Sequence, residues 1–174
     1  MRLLNGSVLI LASSVLMAQQ PMPEVRTWAQ VQGGLATQHN APCIKDEPAF
    51  GGGVGQWLGP RWGWEASLLE ASLQDRAGLW TAREVHLDGS VLLAPFPSTG
   101  AWRPFLRAGL GGTRLPSPLS LGPGATTRLN LAGGVGAQYT FRQHGLFSLE
   151  ARSTSVRSQD ARTEFQFLLG FGLR

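Results

Sequence analysis

The sequence predicts an all-β protein in which eight antiparallel strands close into an up-and-down transmembrane β-barrel. Three observations support this fold class. The chain begins with a pattern typical of an export signal, the remainder alternates apolar and polar residues with a period of two, and only 15% of its residues are charged. A soluble domain carries roughly 25% charged residues, so this chain has few with which to cover a water-facing surface.

The N-terminal segment has the features of a secretory signal peptide. Arg2 supplies a positive charge, residues 3–17 are mostly apolar, and Ala18 is a small residue at a plausible cleavage point. The alternative, a membrane-anchoring helix, needs an apolar run of about 20 residues, and this run is shorter. We therefore predict a signal peptide over residues 1–18, a short lead over 19–26 and a barrel over 27–174.

In the first four predicted strands, one face is mainly apolar and the other carries glycine and polar residues, as the period of two in a strand requires. The apolar faces comprise Ala29, Val31, Gly33 and Leu35; Phe50, Val54 and Leu58; Trp62, Trp64, Ala66 and Leu68; and Val85, Leu87, Gly89, Val91 and Leu93. The opposite faces comprise Trp28, Gln30, Gln32 and Gly34; Gly51, Gly53 and Gly55; Gly63, Glu65 and Ser67; and Glu84, His86, Asp88 and Ser90.

The last four predicted strands repeat this alternation. Their apolar faces comprise Pro104, Leu106, Ala108 and Leu110; Leu129, Leu131, Gly133, Val135, Ala137, Tyr139 and Phe141; Phe147, Leu149, Ala151 and Ser153; and Phe165, Phe167, Leu169, Phe171 and Leu173. Their opposite faces include Phe105, Arg107, Asn130, Gln138, Glu150, Arg152, Glu164 and Gln166. The sixth run is about thirteen residues long, whereas a strand in a soluble protein usually has about 5–6. A tilted membrane strand explains this length.

The polar faces indicate which side of the strands lines the lumen, because they combine glycine with isolated charges. The interior of an eight-stranded barrel is just wide enough for side chains, so small residues must leave room there for large ones. We predict an interior polar network of Glu65, Glu84, His86, Arg107, Glu150 and Arg152. We predict lipid contact for Trp62, Trp64, Leu129, Leu131, Val135, Phe165, Phe167, Leu169 and Phe171. The alternative places these charges on a solvated surface.

The predicted connections differ in length between the two ends of the barrel. Residues 38–48 and 113–126 are irregular and fit long external loops, whereas 59–61 and 142–145 fit tight turns at the other end. Two connections depart from this pattern. Residues 95–100 are longer than a tight turn, and residues 75–78 are short for an external loop. The long loops are the predicted contact surfaces, since loops on rigid scaffolds commonly carry binding function.

The charged residues, the single cysteine and the histidines argue against several other classes. The formal net charge is +4, but the arginines are dispersed, so we predict contact with anionic lipid headgroups and no nucleic-acid binding. One cysteine permits no intrachain disulfide. His39 and Cys43 form only a weak metal or nucleophile signal, so we predict no metal and no cofactor.

Several segments resemble the small outer-membrane β-barrel family, of the outer-membrane protein A/X transmembrane-domain kind. They are PRWGWEASL, VHLDGSVLLAPFP, WRPFLRAGLGGT, RLNLAGGVGAQYTF, LFSLEARST and FQFLLGFGLR, and the resemblance covers about residues 27–174. It implies a monomer in the cell outer membrane that contacts outer-membrane lipids and lipopolysaccharide. It also implies insertion by the outer-membrane assembly machinery, which reads the final strand. Here that strand ends Phe171-Gly172-Leu173-Arg174, without the usual terminal aromatic residue.

The favoured function is a structural or surface-interaction role, with a lumen filled by side chains and no enzymatic activity. A lipid A-modifying hydrolase is one alternative, because His86, Asp88 and Ser90 share one strand face. His39 and His144 lie in a predicted loop and turn, and they suggest no catalytic triad. A narrow channel and a soluble lipocalin-like barrel remain the other two alternatives.

Overall fold

The computed structural model describes residues 26–38, 45–96, 101–115, 126–141, 144–157 and 162–174. The predicted signal peptide, His39 and Cys43 lie outside these residues. Among the described residues, no helix is long and apolar enough to cross a membrane.

Eight antiparallel strands form one closed barrel in which each strand pairs with the next along the chain. The predicted eight-stranded up-and-down antiparallel barrel is therefore confirmed. The strands are β1 Arg26–Gln38, β2 Glu47–Trp57, β3 Trp62–Gln74, β4 Thr81–Leu93, β5 Trp102–Leu115, β6 Thr126–Phe141, β7 Gly145–Val156 and β8 Arg162–Leu173.

The first and last strands close the barrel. β1 and β8 are antiparallel neighbours, with Val31 opposite Phe171 and Leu35 opposite Phe167. This pairing, which the sequence predicted, satisfies the backbone groups that an open sheet would leave unpaired at its edges.

The two faces of the sheet are sorted by chemistry. Large hydrophobic side chains point outward and are exposed, for example Leu110 at 63% and Phe167 at 58%. Charged side chains in the middle of the barrel point inward and are buried, for example Glu65 and Arg152 at 1% each. This is the reverse of a lipocalin-like barrel, in which the apolar face surrounds the lumen.

The connections define two ends of the barrel. The terminal rim holds the start of β1, the end of β8 and the connections 58–61, 94–101 and 142–144. The distal rim holds the connections 39–46, 75–80, 116–125 and 157–161. The predicted loops 38–48 and 113–126 were too long, because the pairs Ala36–Glu47 and Leu115–Thr126 extend the strand ladders into them.

The distal-rim connection 75–80, which the structure describes in full, depends on a glycine. Gly78 has a φ of +73°, in the left-handed region that residues with a side chain rarely adopt. Its amide donates a hydrogen bond to the carbonyl of Asp75 at 2.9 Å, and the Asp75 amide donates to the carbonyl of Trp80 at 3.2 Å. The turn therefore lets β3 pair with β4 as far as Gln74 and Thr81.

Candidate functional site

Five charged side chains from four strands meet in the middle of the lumen, and we call them the central cluster: Glu65 on β3, Asp88 on β4, Arg107 on β5, and Glu150 and Arg152 on β7. The Nε atom of Arg107 lies 3.0 Å from Oε1 of Glu150, and its Nη2 atom pairs with Oε1 of Glu65. Arg152 contacts both oxygens of Glu150, with Nε at 3.0 Å from Oε1 and Nη2 at 3.3 Å from Oε2.

Arg152, within the central cluster, also contacts side chains of β3 and β4. Its Nη1 atom donates to the Ser67 hydroxyl at 3.3 Å and lies 3.7 Å from Oδ2 of Asp88. Each ion-paired side chain of the central cluster is at most 2% exposed. Buried charges of this kind are tolerated only when they are paired, so removing one partner is expected to be strongly destabilising.

A second polar group lies between the central cluster and the distal rim, and we call it the histidine cluster: Glu84 and His86 on β4, Thr113 on β5, Asn130 on β6 and Glu164 on β8. The Nε2 atom of His86 lies 3.7 Å from Oε1 of Glu84 and 3.6 Å from Oε2 of Glu164. Its Nδ1 atom lies 2.9 Å from the Thr113 hydroxyl, which also accepts a hydrogen bond of 2.8 Å from the Asn130 amide.

Apolar side chains fill the lumen at the terminal rim, in a group that we call the aromatic plug: Trp28, Trp57, Leu92, Ala94, Phe105 and Leu146. The two indole rings have centroids 5.9 Å apart. The Trp57 Nε1 group donates to Oε1 of Gln138 at 2.9 Å, and the Arg103 guanidinium lies 4.5 Å from the ring centroid of Trp57. The sequence did not predict this plug. It placed Trp28 and Phe105 on the faces that line the lumen, but it did not predict that they would pack together there.

The glycines on the inward face stand beside the bulkiest lumen groups. A Cβ at Gly136 would lie 2.5 Å from the ring of Phe105, and one at Gly53 would lie 3.1 Å from Oε1 of Glu65. The narrow lumen can hold the aromatic plug and the central cluster because these neighbouring positions lack side chains.

The structure brings all six residues of the predicted interior network into the lumen, but as two groups. Arg107 joins Glu65, Glu150 and Arg152 in the central cluster, whereas Glu84 and His86 belong to the histidine cluster. Sequence reasoning placed Asp88 and Glu164 on inward faces without including them in that network. The nine residues predicted to contact lipid all point outward and are exposed.

His86, Asp88 and Ser90 lie on the inward face of β4, where the hydrolase alternative placed them, yet they do not form a catalytic arrangement. A nucleophile must hydrogen-bond to its base, and the Ser90 hydroxyl has no hydrogen-bond partner among the described residues. His86 contacts Thr113, and Asp88 lies beside Arg152. His144 is exposed next to β7.

Comparisons with known proteins point to one fold. No protein-family model matches the chain, and no curated protein matches it. Among solved structures, Neisserial surface protein A is 12% identical, with a TM-score of 0.68 over 86% of this chain and 97% of that one. The N-terminal β-barrel domain of Pseudomonas aeruginosa OprF is 16% identical, with a TM-score of 0.53 over 86% and 99% of the respective chains.

The attachment invasion locus protein Ail of Yersinia pestis is 14% identical, with a TM-score of 0.52 over 84% of this chain and 96% of that one. Identities this low establish a shared architecture and carry no activity from one protein to another. The chain therefore has the fold of the small eight-stranded outer-membrane β-barrels.

Proposed function

We propose that this protein is an integral, monomeric outer-membrane barrel that serves as a rigid scaffold for contacts at the cell surface, and that it is not an enzyme. The observation that carries the proposal is the apolar outer surface around a charged interior. Twenty-five large hydrophobic side chains are exposed among the described residues. A soluble monomer rarely exposes an apolar patch of more than about 300–600 Å², so a surface of this kind fits lipid.

The height of the apolar band matches a membrane. Along β6, every outward position from Leu129 to Phe141 is apolar, glycine or tyrosine. These twelve steps span roughly 30 Å along the membrane normal, given about 3.3 Å per residue and a tilt of about 40°. Outward polar residues such as Glu70, Arg83 and Arg114 begin where the band ends toward the distal rim.

Aromatic residues form a belt at the terminal rim, which supports placing that rim at a membrane interface. Trp102 and Tyr139 have ring centroids 4.8 Å apart, and Phe147 and Phe171 have centroids 5.1 Å apart. Trp62 lies at the start of β3 on the same rim. Amphipathic rings concentrate at headgroup level in membrane barrels.

The distal rim is the proposed external end. It carries the ten-residue connection 116–125, whereas two of the three connections at the terminal rim have four residues or fewer. Short turns face the periplasm and longer loops face outward in this kind of barrel. Within the described part of the distal rim, the exposed basic residues are Lys45, Arg76, Arg83, Arg114 and Arg157. We propose that they contact lipopolysaccharide phosphates, which arginine recognises well.

We also propose that the chain is exported through a cleaved signal peptide and inserted by the outer-membrane assembly machinery. The sequence of residues 1–18 supports secretion through a cleaved signal peptide. The outward Phe165, Phe167 and Phe171 of β8 supply the alternating apolar face that the outer-membrane assembly machinery would receive. The closed sheet leaves no free strand edge for pairing with a second copy, which favours a monomer. The aromatic plug and central cluster favour a filled lumen over a channel.

Membrane insertion is tested by adding the same charge at two depths on one strand face. Val135→Arg puts a guanidinium in the middle of the band on β6, and Thr127→Arg puts it near the distal rim. We expect destabilisation of about 2–4 kcal/mol for the first variant and about 0–1 kcal/mol for the second. Urea unfolding in lipid vesicles measures both values.

The wild-type protein should enter the outer-membrane fraction and migrate differently on gels before and after heating. Equal and small effects of the two arginines, or recovery of folded protein in the soluble periplasmic fraction, would contradict insertion.

The proposed absence of enzymatic activity is tested separately. Lipid A incubated with the purified barrel should stay unmodified, and acyl release that disappears in Ser90→Ala would contradict this part.

A further inference from the structure

The histidine cluster contains three side chains whose donor atoms converge on one point inside the lumen. Donor atoms of Glu84, His86 and Glu164 all lie within 4.8 Å of one another. Their side chains are at most 1% exposed. β4 and β8 stand on opposite walls of the eight-stranded barrel, so this convergence joins two distant parts of the sheet.

The spacing of these atoms is too long for direct hydrogen bonds and close to that of metal ligands. The Nε2 atom of His86 lies 3.6 Å and 3.7 Å from the two carboxylate oxygens, beyond the usual limit of about 3.2 Å for a nitrogen–oxygen hydrogen bond. Zinc holds nitrogen and oxygen ligands at about 2.0–2.2 Å in a tetrahedron, which separates neighbouring ligand atoms by about 3.4 Å.

The His86 ring is oriented for such a role. Nε2 has no hydrogen-bond partner among the described residues, although the side chain is fully buried. Nδ1 faces the Thr113 hydroxyl at 2.9 Å. A metal-binding histidine usually donates its other ring N–H to an acceptor, and the Thr113 oxygen can accept from both Nδ1 and the Asn130 amide.

The neighbours of Glu164 hold that carboxylate in place. The side-chain amides of Gln38 and Gln166 each donate to it at 2.6 Å, one to Oε2 and the other to Oε1. Hydrogen bonds of this kind orient a ligating carboxylate. The site therefore has three ligand side chains and an outer layer of polar groups that fixes two of them.

The charges within the central and histidine clusters favour a cation at this point. The central and histidine clusters together contain five carboxylates, but only two guanidiniums and one imidazole. Both guanidiniums are engaged in the central cluster. Buried charges are normally paired or coordinate metals, so a doubly charged ion beside Glu84 and Glu164 would offset much of the excess.

We propose that Glu84, His86 and Glu164 form a buried binding site for a divalent transition-metal ion of the Zn²⁺ class, with a fourth position open to water. One imidazole and two carboxylates form a ligand set that suits such ions. The bound ion would connect β4 to β8 and stabilise the distal half of the barrel. This site adds to the proposed scaffold role and does not depend on it.

The test measures Zn²⁺ binding by the full chain refolded into detergent micelles, with one equivalent of the metal present during refolding. After desalting, elemental analysis should find one zinc per barrel. His86→Gln and Glu164→Gln should each weaken binding by at least about 100-fold. Thr113→Val, which keeps all three ligands, should weaken it by about 10–100-fold, the usual effect of losing an outer-layer partner.

Two control variants remove other potential ligands. His144→Asn changes an exposed histidine, and the pair His39→Asn and Cys43→Ser changes residues outside the described part of the chain. Both should retain one zinc per barrel. Heat-dependent gel migration reports whether each variant is folded, so a folding defect is distinguished from a lost site. A folded wild-type barrel without zinc, or zinc lost only from the His39 and Cys43 variant, would overturn the proposal.

Discussion

Arg107 on β5 reaches Glu150 on β7 across the intervening strand, with 3.0 Å between Nε and Oε1. The residues of β6 that lie between them are glycines, with Gly134 opposite Arg107 and Gly136 opposite Glu150. A Cβ at Gly134 would lie 2.7 Å from the Ala151 carbonyl oxygen, and one at Gly136 would lie 2.5 Å from the Phe105 ring. The strand between the two charged partners therefore has no room for a side chain at either position.

Glu150→Gln should destabilise the barrel more than any single change to an exposed ion pair. Glu150 contacts both Arg107 and Arg152, so the substitution leaves two buried guanidiniums short of negative charge. We expect a loss of about 3–5 kcal/mol, the usual cost of breaking a buried pair. Equilibrium urea unfolding in vesicles measures the difference.

The matched control is Glu70→Gln, the same chemical change in the exposed pair with Arg83, where the charged atoms are 3.1 Å apart. Exposed pairs contribute at most about 1 kcal/mol, so this variant should stay close to the wild type. Similar losses in the two variants would mean that the central cluster is not energetically distinct from the surface.

Gly136→Ala should be costly although it adds one methyl group. The new Cβ would lie 2.5 Å from the Phe105 ring and 2.6 Å from the Leu149 carbonyl oxygen. Overpacking of this kind costs about 1–3 kcal/mol. The control is Gly133→Ala on the outward face of the same strand, where the new Cβ would lie 4.0 Å from the Arg107 carbonyl oxygen, the nearest atom beyond its chain neighbours. That variant should be neutral or slightly stabilising when both are compared by thermal unfolding.

The double variant Arg83→Gln and Arg114→Gln should bind lipopolysaccharide more weakly. Both arginines are exposed near the distal rim, on the adjacent strands β4 and β5. Each basic residue near an anionic membrane surface contributes about 1 kcal/mol, so losing two should weaken binding roughly 30-fold. The difference should shrink at high salt because exposed charges are screened.

The control for this prediction is Arg61→Gln, which removes an exposed arginine from the terminal rim. Lipopolysaccharide binding in detergent, measured at two salt concentrations, should be unchanged in this variant. Equal losses for the two rims would contradict the assignment of the distal rim to the outside of the cell.

Local periodicity was sufficient to predict the strands and their faces. β6 and β8 alternate over 12 or more residues, so their apolar and polar sides are unambiguous. β2 was harder, because Gly51, Gly52 and Gly53 give no side-chain pattern, and its register depends on pairing with β1 and β3. The strand ends beside the longer loops were also missed, since ladder pairing there extends past the apolar residues.

The grouping of the interior residues could not be read from the sequence. Glu164 meets His86 across the lumen, and the 77 positions between them carry no signal of that contact. Which inward residues meet depends on strand tilt and stagger, which are properties of the closed barrel. The aromatic plug was missed for a related reason. An inward tryptophan on a mostly polar face can be recognised as part of an apolar cluster only when its partners are known.

The antiparallel pairing of β1 with β8 closes the barrel, so folding is complete only when these two strands have met. Every other neighbouring pair is joined by a short stretch of chain, but this seam joins positions such as Val31 and Phe171 that are separated by almost the whole sequence. Contacts so distant along the chain form slowly, because a large loop must first be closed. A circular permutant that links Arg26 to Arg174 and opens the chain within 75–80 would make this seam local and transfer the long-range closure to β3 and β4, whose pairing would then be the slow step.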